Sequence, residues 1–220
     1  MDVQFKHISH KLIDSLSDGV FSIALTLLGL NVVALATDIG RSDNPNSEVL
    51  KNWPTFLAYT LGFLVLYSMW YSYHAFSQYT KGTNAFVVWN HGAQFFFVAL
   101  MPFGVAFLAN TLNTPNRKWG LFYFGLCLFG YNFVTVIQWA LNGFKFQVEF
   151  TDEMPLPQER VQKGVPLYFM LTSATGLVVL VISLVSPWIA FAFYLAHVLL
   201  SATPIRSFNK MMPMIDSRIK

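Results

Sequence analysis

The sequence predicts an all-α integral membrane protein with six transmembrane helices per subunit and both termini in the cytoplasm. Three observations carry that prediction. Of 220 residues, 55% are hydrophobic and only 11% charged, about half the charge of an ordinary soluble domain. Six apolar stretches approach or exceed the ~20 residues that cross a bilayer. The lysines and arginines are shared unevenly between the intervening segments. The same composition excludes other classes. The charges are too few to cover a soluble fold, and the apolar content is too high for disorder. A single cysteine rules out a disulfide scaffold. A net charge of +3 without a dense basic patch gives no support to nucleic-acid binding.

The predicted spans cover residues 13–36, 53–77, 85–109, 119–141, 166–185 and 188–205. Residues 1–206 then form one membrane domain, with 207–220 as a cytoplasmic tail. The first stretch has a basic leader in Lys6 and Lys11 and a small-x-small pattern at Ala34-Leu35-Ala36. It is nevertheless too long for a signal core and holds Asp18, so it is expected to remain as a span. Ser186 and Pro187 divide the last apolar region into two helices, since proline cannot continue the helix before it. Tryptophans 53, 119, 139 and 188 fall near span ends, as interfacial anchors do.

Orientation follows from the basic residues. With both ends inside, Lys6, Lys11, Lys81, Lys145, Arg160, Lys163, Arg206, Lys210, Arg218 and Lys220 are cytoplasmic. Arg41, Lys51, Arg117 and Lys118 are external. The segment 142–164, with its mixed charges and two prolines, reads as a solvated cytoplasmic connector. No internal repeat is apparent, so an inverted-repeat transporter gains no support.

The first span is the unusual one. At helical spacing, Ser15, Asp18, Ser22 and Gly29 make a small and polar side. Leu16, Val20, Ile23, Leu27 and Leu30 make an aliphatic stripe, and Thr26 lies about 60° from Ile23 at its border. A carboxylate at membrane depth costs at least a few kcal/mol unless paired or hydrated. Asp18 is therefore expected to join a hydrogen-bond network with Ser17, Trp70, His74 and Asn90 as candidate partners. Trp70 and His74, four residues apart, share a helix face. A structural role for that network stays open.

Other chemistry is thin. The histidines form no ligand constellation, so no metal site is expected. No nucleophile elbow, phosphate loop or paired-carboxylate site is present, and no enzyme activity is expected. Cys127 reads as a small buried hydrophobe. Gly62, Gly92, Gly104 and Gly125 are expected to mark close helix contacts.

The run Ser17-Asp18-Gly19-Val20-Phe21-Ser22-Ile23-Ala24, followed by Thr26-Leu27-Leu28, resembles the Phe-Ser-Asp signature of the transmembrane-protein-175 potassium channel family. Trp70, His74 and Phe76, then Asn90, then Pro102-Phe103 agree in order and rough spacing. The resemblance covers about the first half of the chain and fits the bacterial, single-repeat branch. Two positions depart from it. Leu16 replaces the signature phenylalanine, and Leu12 stands where an arginine is expected, with Lys11 one place away.

The resemblance implies a homotetramer in the bacterial cell membrane, with the first helix of each subunit lining a potassium-conducting pore. Ile23, Leu27 and Leu30 would be the pore-lining hydrophobic layers, Ile23 the narrowest, and Thr26 would influence selectivity. Potassium would be the permeant ion and no cofactor is implied. Periodicity alone does not separate a pore stripe from ordinary packing. A rival reading is a proton- or cation-coupled secondary transporter using Asp18; another is a membrane scaffold without transport.

Overall fold

The computed structural model describes residues 10–78, 85–145, 151 and 158–201. Among them every regular element is an α-helix: α1 His10–Gly40, α2 Pro45–Lys51, α3 Trp53–Ser77, α4 Ala85–Thr111, α5 Arg117–Lys145, α6 Gln158–Val185 and α7 Pro187–Ser201. Three helical segments are long and apolar enough to cross a membrane: Lys11–Gly40, Ala85–Thr111 and Arg117–Ala140. A fourth arises if α2 and α3, bent by 55° at Asn52, count as one broken span. Phe169–Val185 and Pro187–Val198 are shorter apolar helices.

Helix α2 lies outside the six predicted stretches. Its start is nonetheless written locally. The Asn44 side chain accepts from the Ser47 backbone N–H at 3.2 Å, and Pro45 occupies the first turn, where its missing N–H is harmless. The predicted connector 142–164 is likewise partly helical. Residues 142–145 continue α5 and 158–164 begin α6, across Gly143 and Gly164, whose low helix propensity does not end the helix at the apolar boundary. Apart from Thr151, the stretch between them lies outside the described residues, as do the predicted tail 207–220 and the basic residues at both ends.

Helix α4 is central, packing against α1, α3 and α5, while α5 also carries α6 and α7. In a bilayer, helices exchange lipid contact for protein contact, so close packing and interhelical hydrogen bonds hold the bundle. Glycines supply the close approaches. A Cβ at Gly62 would strike Val105, one at Gly104 would lie 3.3 Å from the Phe124 Cα, and one at Gly125 would strike Tyr194. Gly92 departs from expectation. It sits on the outward side of α4 with nothing within 4 Å of a Cβ. Gly120 and Gly130 make such contacts instead, against Thr111 and Phe97.

Candidate functional site

Helix α1 has one face inside the subunit and one outside it. Ile13, Ser17, Phe21, Ala24 and Leu28, spaced by three and four, are buried. The aliphatic stripe points away: Leu16, Ile23, Leu27 and Leu30 are exposed, Ile23 to 63%. Val20 sits at the edge, half-buried against the core. The small and polar residues Ser15, Ser22 and Thr26 also face outward. Only 17% of the most apolar part of α1 is buried, against 44% in α4 and 61% in α5. Hydroxyls on an outward face are poorly matched to lipid, and the helix manages them internally. Thr26 Oγ1 donates to the Ser22 carbonyl at 2.8 Å, and Ser15 Oγ to the Lys11 carbonyl at 2.9 Å. Each thereby spends its proton on the backbone and presents only lone pairs outward.

Near the N-terminal end, α1 is clasped to α3 through two carboxylates. The Trp70 indole Nε1 and the His74 Nε2 each donate to Asp18 Oδ1 at 2.9 Å. One turn earlier, Ser77 Oγ and Tyr73 OH donate to Asp14 Oδ1 at 2.6 and 3.2 Å. The donors at 70, 73, 74 and 77 follow one face of α3, and the acceptors at 14 and 18 one face of α1. Ring contacts stiffen the donor side, with Trp70 and Tyr73 edge-on to His74 at 4.9 and 5.3 Å. The Asp18 side chain remains about half exposed.

Two of the expected partners stand apart from the clasp. Ser17 is fully buried, but its hydroxyl has no hydrogen-bond partner among the described residues. Asn90 Nδ2 donates to the carbonyl of Phe86 on its own helix at 3.4 Å. Ser17 faces the bundle while Asp18 is turned about 100° away, so adjacency in sequence does not bring them to one acceptor. Among the described residues no lysine or arginine lies within ion-pair distance of Asp18, Lys11 included.

Residues 13–102 match the sequence model of the family described as "Endosomal/lysosomal potassium channel TMEM175". That interval holds every residue of the clasp and of the outward stripe. A "Potassium channel" of Chamaesiphon minutus is 36% identical over 107 residues, covering 48% of this chain and 52% of the relative. A second "Potassium channel", from Streptomyces collinus, is 30% identical over 109 residues, 48% of this chain and 50% of that protein. The chain thus spans about half the length of the curated relatives it matches. The fold agrees further. The crystal structure of a lysosomal potassium-selective channel TMEM175 homolog from Chamaesiphon minutus superposes with a TM-score of 0.76 at 22% identity. It covers 90% of this chain and 97% of that one.

The TMEM175 match ends at Pro102, inside α4, whereas the likeness of fold extends over 90% of this chain. Sequence reasoning missed Asp14, Tyr73 and Ser77. Their signal was present: Asp14 precedes Asp18 by four residues, as Tyr73 precedes Ser77. It also missed a cluster between α4 and α5, where His91, Gln94, Thr135 and Gln138 meet. There the signal was a pair of polar residues three apart in each of two apolar spans. Among the described residues no group of histidine, cysteine and acidic side chains is arranged to hold a metal ion.

Proposed function

We propose that this chain is the subunit of a homotetrameric, potassium-permeable channel in the cell membrane, with six spans and both termini cytoplasmic. Four copies of α1 surround the axis, and Ile23, Leu27 and Leu30 form the hydrophobic constriction. The observation that carries this reading is the outward face of α1. It joins a ladder of large aliphatics to the outward hydroxyls of Ser15, Ser22 and Thr26, on the least buried of the three long apolar spans.

The mechanism follows from side-chain chemistry. A ring of four Ile23 side chains closes the path sterically or leaves a gap too dry for an ion. A modest tilt or rotation of α1 wets it. Without a cage of carbonyls, selection rests on partial dehydration, which potassium tolerates better than sodium, so the preference is weak. Thr26 adds to it because its hydroxyl proton is committed to Ser22, leaving an acceptor beside the constriction. The Asp14 and Asp18 clasps fix the rotation of α1 that aims Ile23 inward.

Purified protein in planar bilayers, under opposed potassium and sodium gradients, tests the reading alongside Ile23→Asn. Discrete openings that reverse toward the potassium potential are expected, with conductance or leak raised in the variant. Saturable flux coupled to a second solute, without unitary openings, would instead establish a transporter working through Asp18. Silence from both folded, tetrameric proteins would remove the pore assignment.

A further inference from the structure

His91 and Gln94 of α4 meet Thr135 and Gln138 of α5 in a closed circuit of hydrogen bonds, with all four side chains buried. One hydroxyl sets its direction. Thr135 Oγ1 donates to the Tyr131 carbonyl at 2.9 Å, so toward Gln94 it offers only lone pairs. Gln94 must then turn its amide nitrogen to Thr135, at 2.9 Å. The other hydrogen of that nitrogen reaches Gln138 Oε1 at 3.1 Å. The Gln94 oxygen consequently faces His91 Nδ1 at 2.9 Å, and that nitrogen must carry the imidazole proton. His91 Nε2 is left as an acceptor and takes an N–H from Gln138 at 3.2 Å. The reverse circuit, with both amides turned and the proton on Nε2, requires Thr135 to abandon the Tyr131 carbonyl.

The circuit also touches the α1 clasp. The ring of Tyr73 meets His91 edge-on at 5.2 Å, while its hydroxyl donates to Asp14. The same ring packs edge-on against His74, which holds Asp18. Tyr73 is thus shared by both polar clusters, one part of it on each.

We propose that Thr135 fixes the direction of the His91–Gln94–Gln138 circuit, and that this circuit, acting through Tyr73, holds α1 in register. These five are positioning residues for the pore; the inference rests on α1 lining it. No charge is buried, and the circuit has two consistent directions. It is therefore a two-state element whose setting reaches the clasp through one side chain.

The test uses the full chain in lipid nanodiscs. Nitrogen-15 spectra of labelled histidines, with His91 assigned by its loss in His91→Phe, should show a neutral imidazole protonated at Nδ1. Thr135→Val should mix or reverse the tautomer, and Thr135→Ser should restore it. Protonation at Nε2 in the wild type would overturn the direction assigned. Amide exchange then reads transmission. Gln138→Met should speed exchange around Asp14 and Asp18 by roughly threefold to tenfold, and combining it with Tyr73→Phe, which itself removes a bond to Asp14, should give less than the product of the two separate effects. Loosening confined to α4 and α5, or effects that simply add, would overturn the link to α1. In bilayers Gln138→Met should shift open probability with unitary conductance and reversal potential unchanged; a change in either would overturn a positioning role. A silent wild type would refute the pore reading, while the tautomer and exchange data would still decide the circuit and its reach to α1.

Discussion

The α1–α3 clasp and the α4–α5 circuit both place hydrogen bonds between helices at membrane depth, yet they differ in charge, exposure and closure. The clasp sets two carboxylates against four donors and leaves the Asp18 side chain about half exposed. The circuit contains no carboxylate, is buried throughout, and matches donors to acceptors around a loop. A closed neutral network resists change because breaking any one bond strands its neighbours without water. An open charged one loses less from each break, since solvent can replace the lost partner. The difference assigns rigidity to the α4–α5 frame and adjustability to α1, which suits the rotation of α1 proposed above.

Cutting the circuit once is expected to have the largest effect on stability. Gln94→Leu leaves the His91 Nδ1 proton and the Gln138 oxygen unmatched in the interior, and should destabilise the subunit by about 2–4 kcal/mol. Replacing the whole set, His91→Phe with Gln94→Leu and Gln138→Leu, should recover most of that loss because no stranded group remains. Reversible unfolding in mixed micelles measures both. If the triple variant is no more stable than the single one, closure is not the source of the circuit's rigidity.

Asp18→Asn probes the other side of the comparison and should act on function before stability. The amide keeps one acceptor for Trp70 and His74 but loses the charge, so the expected loss is only about 0.5–1.5 kcal/mol. Open probability should change several-fold, with unitary conductance unaltered. A stability loss matching that of Gln94→Leu would erase the distinction between an adjustable clasp and a rigid frame.

What the sequence disclosed depended on whether a residue was anomalous by itself. Asp18 announced itself because a carboxylate inside an apolar run is costly wherever the helix lies. The outward stripe showed because helical periodicity needs no partner. Asp14 escaped notice because, near the start of the first span, a carboxylate reads as solvated. The circuit escaped because glutamine and threonine are tolerable in a span, and its meaning appears only when α4 and α5 pack in one register. Gly92 was misjudged for the same reason, since a glycine does not say which side of its helix faces a neighbour. Helix α2 is different, because Asn44-Pro45 is a legible start that the preference for long apolar stretches passed over.

Ser17→Ala has the smallest expected effect and the most informative sign. Serine and aspartate are adjacent in the signature, which suggests a common network. In the structure Ser17 faces the bundle with its hydroxyl unpartnered, while Asp18 takes its bonds from α3. A buried hydroxyl without a partner destabilises by roughly 1–3 kcal/mol, offset by the contacts its oxygen makes. Removing it should therefore leave stability within about 0.5 kcal/mol of wild type or raise it slightly. A loss of about 1 kcal/mol, removed in an Asp18→Asn background, would place Ser17 inside the clasp. An unchanged or raised stability would make Ser17 a small residue that admits α1 to the bundle, and would leave the carboxylates alone as the adjustable contact.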